Sequence, residues 1–93
     1  MKQKSDFKDR VVLVTGGTKG IGRGIAEGFL SSGAKVIVCA RNAPEQLPNF
    51  EGHSAEFMAC DVREAEAGRA MIARIVEQHG RLDVLVHNAG GSP

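Results

Sequence analysis

Ninety-three residues, 42% of them hydrophobic and 25% charged, describe a soluble globular chain of at most one domain, 1–93, with room for one core. Its 12 basic and 11 acidic residues leave a formal charge of +1, which gives no reason to expect nucleic acid or an anionic membrane as a partner. No stretch approaches the roughly 20 apolar residues of a membrane span, and the start of the chain carries no apolar signal-peptide region, so a cytoplasmic protein is expected.

The first apolar run, Val11-Val12-Leu13-Val14, reads as a strand. It leads into Thr15-Gly16-Gly17-Thr18-Lys19-Gly20-Ile21-Gly22, a glycine turn that opens a helix. From Ile21 the apolar positions Ile21, Ile25, Ala26, Phe29 and Leu30 recur at helical spacing, and Ser31-Ser32-Gly33 ends the pattern with a glycine suited to a helix C-cap. Lys35 to Ala40 is a second strand. Residues 42–52 contain Pro44 and Pro48 and leave space for only a turn or a short helix, so one crossover is abbreviated. A third strand covers Ala55 to Cys60. Glu64 to His79 carries an apolar stripe of Gly68, Met71, Ile72, Ile75 and Val76, with acidic residues at its start and Gly80 at its end, and is the clearest helix. Leu82 to His87 is the fourth strand, followed by Asn88-Ala89-Gly90-Gly91. Alternating strands and helices joined by right-handed crossovers predict an α/β fold, a partial Rossmann-type doubly wound parallel sheet of about four strands in the order 3-2-1-4.

In such sheets ligands bind outside the carboxyl ends of the strands, and the unusual residues of this chain fall there. A helix start preceded by glycines offers unpaired N–H groups and a partial positive charge to a pyrophosphate. A side chain at Gly16, Gly20 or Gly22 would stand between the backbone and the ligand, or between the helix and its strand. The spacing Gly-x-x-x-Gly-x-Gly differs from the Gly-x-Gly-x-x-Gly dinucleotide fingerprint, although the mechanism is the same. After the second strand an NAD binder places an acid that accepts from the ribose 2′-OH; here Ala40-Arg41 stands instead, and Lys19 adds a second positive charge. A 2′-phosphate suits both, so the expected cofactor is NADP(H) over NAD(H). The alternative is that Lys19 and Arg41 are solvated surface charges. Asp61, likewise, is either an adenine contact or only the N-cap of the long helix. Cys39 and Cys60 end two apolar runs without metal-ligand spacing and read as small buried hydrophobes.

These segments resemble the classical short-chain dehydrogenases/reductases over nearly the whole chain, from Phe7 to Gly91. Thr15-Gly16-x-x-x-Gly20-Ile21-Gly22 is similar to that family's cofactor motif, Asp61-Val62 to its adenine-binding pair, and His87-Asn88-Ala89-Gly90 to its Asn-Asn-Ala-Gly segment with His in the first place. The resemblance implies that Gly16, Thr18, Gly20 and Ile21 contact the pyrophosphate and neighbouring ribose. It implies further that Asp61 meets the adenine amine and Val62 its ring. Asn88 would tie the fourth strand to the first near Thr15, with Ala89 and Gly90 passing close to the cofactor ribose. Lys19 and Arg41 match basic positions of NADPH-preferring members. His87 departs from the pattern and reads as a tolerated variant rather than a catalyst. Gly24 and Gly28, costly inside a helix, are expected to mark close packing of the first helix on the sheet.

The family's catalytic Ser and Tyr-x-x-x-Lys have no counterpart here, since the 93 residues contain no Tyr. The chain is therefore expected to be the cofactor-binding N-terminal portion of an NADP(H)-dependent carbonyl reductase or alcohol dehydrogenase, inactive alone. In the intact enzyme the substrate would be a small carbonyl or alcohol compound, and a homo-oligomer would form through helices beyond these residues. The alternative is a non-catalytic nucleotide-binding or regulatory module. With an open edge on the fourth strand, the isolated chain is expected to be partly unfolded or to self-associate.

Overall fold

The computed structural model describes residues 7–88. Strand β1 (Val11–Thr15) is buried along its whole length. A continuous apolar run of this kind forms a strand covered on both faces, as the inner strands of parallel sheets are. Strand β2 (Lys35–Ala40) has the same character after its first residue. It lies parallel to β1, from Val11 opposite Lys35 to Thr15 opposite Cys39.

Between them, helix α1 (Gly20–Ser31) ends at Ser32, and Gly33, with φ +92°, turns the chain back while its N–H donates to Leu30 O at 3.0 Å. Helix α2 (Ala65–His79) follows an Asp61–Glu64 turn and closes on Gly80, where φ is +83° and the N–H donates to Val76 O at 2.7 Å. Both ends follow the glycine logic of left-handed C-caps.

Residues 41–48 contain no helix; they run irregularly into a small antiparallel hairpin, β3 (Asn49–Phe50) and β4 (His53–Ser54). Strands β5 (Glu56–Ala59) and β6 (Val84–His87) complete the main sheet. Its order is β5-β2-β1-β6, all parallel, which is the 3-2-1-4 order of a doubly wound fold.

Alternate residues of each inner strand feed two cores. Val12, Val14, Val36 and Val38 pack under α1 with Ala26 and Leu30. Val11, Leu13, Ile37 and Cys39 pack under α2 with Met71 and Ile75. Val76, expected in the α2 stripe, is exposed on the flank of that helix. Gly24 and Gly28 are also exposed, with nothing within 4 Å of a Cβ at either position. Close packing on the sheet is therefore not what keeps them glycine. Among the described residues, no helix is long and apolar enough to cross a membrane.

Candidate functional site

Parallel strands point their carboxyl ends one way, so Gly16, Arg41, Asp61 and Asn88 emerge at one edge of the sheet. Gly16 leaves β1 with φ +67°, and its N–H donates to Cys39 O at 3.0 Å. Across the turn, Asn88 Nδ2 donates to Gly16 O at 3.2 Å, tying the end of β6 to the end of β1. Thr15 Oγ1 lies 3.4 Å from Nδ1 of the exposed His87.

The glycines of the turn serve separate purposes. A Cβ on Gly16 would sit 2.5 Å from Asn88 O, and one on Gly22 would overlap both Gly16 O and Asn88 Nδ2. Gly22 thus lets α1 start directly against the turn. Gly20 is different: open space surrounds it, and its φ of +63° is the reason for glycine. Gly17, which the motif alone does not single out, presses on Val38, whose Cγ1 would lie 2.6 Å from an added Cβ.

The helix start that follows is available to an anion. Lys19 occupies the N-cap position in extended backbone, makes no side-chain cap, and is followed by no acidic residue in the first turn. The first N–H groups of α1 and its positive dipole end therefore have neither a side-chain cap nor an acidic counter-charge in the first turn. Thr18 is half-buried, Lys19 is exposed, and Ile21 is 79% exposed at the mouth of the turn.

At the end of β2, Arg41 is exposed. Asp61, beyond β5, is gripped by Arg63: Nε donates to Oδ1 at 2.9 Å, Nη2 to Oδ2 at 2.8 Å, and the Arg63 N–H to Oδ1 at 3.0 Å. These bonds, with the charges of Arg63 and Arg41, pull the Asp61 carboxyl down to about 2. Asp61 is not the cap of α2. That position belongs to Glu64, and Asp61 instead closes the turn before it, with Glu64 N–H donating to Asp61 O at 3.0 Å. Oδ1 already accepts two of these bonds, so Oδ2, which accepts one, is the oxygen with a lone-pair direction left for an outside donor. Val62 packs against the α2-side core. Ala89 and Gly90 lie outside the described residues.

Cys39 and Cys60 are both buried free thiols in the α2-side core. Burial pushes the Cys39 thiol up to about 11 and raises Cys60 as well. No group of three or more His, Cys, Asp or Glu side chains that could hold a metal exists among the described residues.

The sequence model of the short chain dehydrogenase family matches residues 10–93. The chain belongs to this family of oxidoreductases. Rabbit (Oryctolagus cuniculus) L-fucose dehydrogenase is 41% identical over 98 residues, covering 100% of this chain and 33% of its own. Human (Homo sapiens) 15-hydroxyprostaglandin dehydrogenase [NAD(+)] is 40% identical over 91 residues, covering 87% and 33%. The ligand-free structure of Thermoplasma acidophilum aldohexose dehydrogenase superposes with a TM-score of 0.79 at 38% identity, covering 91% of this chain and 31% of that one. The chain thus spans about a third of the length of the short chain dehydrogenases it matches. Members of the family use a nicotinamide cofactor, and the name of the human relative specifies NAD(+).

Proposed function

We propose that residues 1–93 form the cofactor-binding portion of an NADP(H)-dependent oxidoreductase of the carbonyl reductase or alcohol dehydrogenase type. The observation that carries this reading is the end of β2, where Ala40-Arg41 puts an exposed guanidinium in the place where an NAD enzyme keeps a carboxylate. Lys19, exposed at the start of α1, supports it with a second cation.

The cradle suits the rest of such a cofactor. Backbone N–H groups at the start of α1 receive the pyrophosphate, and Gly16 and Gly22 keep Cβ atoms out of the turn. Thr18, Gly20 and Ile21 lie along the path of the pyrophosphate and the adjoining ribose. Asp61, held ionised, accepts from the adenine amine while Val62 borders the ring. Asn88 fixes β6 beside the turn, and in the intact enzyme the nicotinamide end would lie near Asn88, Ala89 and Gly90.

When bound, the nicotinamide supplies or accepts a hydride. These residues bind and orient. The proton that accompanies the hydride needs a general acid such as the family's Tyr, and with no Tyr in the chain that task falls to residues outside these 93. The intact protein acts on a small carbonyl or alcohol compound, as a cytoplasmic homo-oligomer.

The test is a cofactor reversal in the full-length protein. Ala40→Asp combined with Arg41→Ile removes the cation and restores an acceptor for a 2′-OH. Charge-assisted hydrogen bonds are worth roughly 1.5–3 kcal/mol, so NADPH affinity is expected to fall about 10- to 100-fold while NADH affinity rises. Titration of both cofactors with each protein reads the result, and an unchanged preference removes Arg41 from the site.

A further inference from the structure

The segment that leaves β2 at Arg41 lacks regular structure, and at its far end, where Leu47 packs against the α1-side core, one side chain bonds its carbonyls. Arg23, in the first turn of α1, donates through Nη1 to Gln46 O at 2.8 Å and to Thr18 O at 3.2 Å, and through Nη2 to Leu47 O at 3.2 Å. Its Nε lies 3.4 Å from Glu27 Oε2, one helical turn on, which orients the guanidinium. A single planar fork therefore bonds two pieces of chain: the glycine turn through Thr18, and the Arg41 segment through Gln46 and Leu47.

The two pieces depend on Arg23 unequally. The glycine turn has other ties, from Asn88 Nδ2 to Gly16 O and from Gly16 N–H to Cys39 O. Among the described residues, the hydrogen bonds that join residues 42–47 to α1 all come from Arg23. Removing Arg23 thus strips the segment of its hydrogen bonds to α1 and leaves it the packing of Leu47, while the turn keeps its other hydrogen bonds.

We propose that Arg23 is a specificity-positioning residue: by clamping the segment that begins at Arg41 to the turn that bears Lys19, it sets the gap in which a ribose 2′-phosphate is received. This rests on the NADP(H) reading above. Arg23 need not touch the cofactor; its guanidinium is spent on three carbonyls. It acts by holding Arg41 at the correct distance from Lys19. A lysine keeps the charge but gathers its donors on one nitrogen, without the planar fork whose two Nη atoms reach the separate carbonyls here.

The experiment compares wild type, Arg23→Lys and Arg23→Ala in the full-length protein, measuring NADPH and NADH affinities and amide exchange over residues 42–47. Both variants are expected to lower the NADPH-to-NADH affinity ratio about 5- to 10-fold, chiefly by weakening NADPH. Exchange over 42–47 is expected to rise while that of β1 and β2 stays protected. A purely structural role would weaken both cofactors alike and leave the ratio unchanged, and that result overturns the inference. Should Arg23→Ala not fold, the lysine variant carries both measurements. A wild type without NADPH preference defeats the underlying cofactor reading. A preference lost in Arg41→Ile but intact in both Arg23 variants defeats this inference alone.

Discussion

Gly22 and Gly24 sit two positions apart on α1 and answer to different constraints. Gly22 is buried where α1, the glycine turn and Asn88 meet, and any Cβ there overlaps backbone that cannot move independently. Gly24 is exposed, with nothing near it. Gly22→Ala is expected to push α1 away from the turn at a cost of about 1–3 kcal/mol and to abolish nucleotide binding. Gly24→Ala has only the helix propensity to gain, and is expected to stabilise by about 1 kcal/mol with binding intact. Thermal melts and cofactor titrations of the two variants separate the predictions. The spacing of the glycines announces the first constraint, because a strand, a turn and a helix must meet within eight residues. It says nothing of which member needs room and which needs a left-handed φ: Gly20 shares the motif with Gly22 but stands in open space. Arg23 was invisible in the sequence for another reason. Its partners are backbone carbonyls, two of them 23 and 24 positions away, and a carbonyl leaves no residue signature. The grip of Arg63 on Asp61 left a faint one in the two-residue spacing, but that spacing does not tell a cap from an ion pair.

At the scale of elements, the strands and helices that build the two cores were legible, because each must present a continuous or periodic apolar face to be buried at all. Val11 to Thr15 and Val36 to Cys39 are buried on both sides of the sheet, and no polar residue interrupts them except Thr15 at the exit. The hairpin was not legible. Its strands are two residues each and all four residues are exposed, so no alternation of burial marks them, and its turn lacks the usual Asn-Gly signal. Glu51 and Gly52 occupy that turn with φ of +49° and +87°. Two positive φ values suit the twist of a tight hairpin, but glutamate accepts the first at a cost that asparagine largely avoids. Glu51→Asn is therefore expected to stabilise the protein by roughly 0.5–1 kcal/mol. The gain is read as a higher thermal midpoint, and an unchanged or lower midpoint would show that the hairpin melts before the core and does not share in its cooperativity.

The whole molecule is a sheet with two unequal sides. Under α1, β6 contributes Val84 and Val86 to the core built on Val12 and Val14. On the other side α2 covers β1 and β2, but Leu85, the partner of the fully buried Leu13, is half exposed. Within the described sheet β6 pairs only with β1, so its other backbone edge is unpaired beside that apolar side chain. A parallel edge that is short of charge and flanked by an exposed leucine is a template for another strand or another copy. A chain of this size also buries little more than about 60% of the surface its unfolded form exposes, which leaves a small margin for the apolar area still uncovered. Produced by itself, the 93-residue chain is expected to self-associate as concentration rises. Leu85→Lys puts a charge on the uncovered face without disturbing the pairing of β6 with β1, and is expected to shift sedimentation toward monomer. If that variant associates as strongly as the wild type, the contact lies elsewhere, and the uncovered face of β6 is not what the molecule uses to hold a second chain.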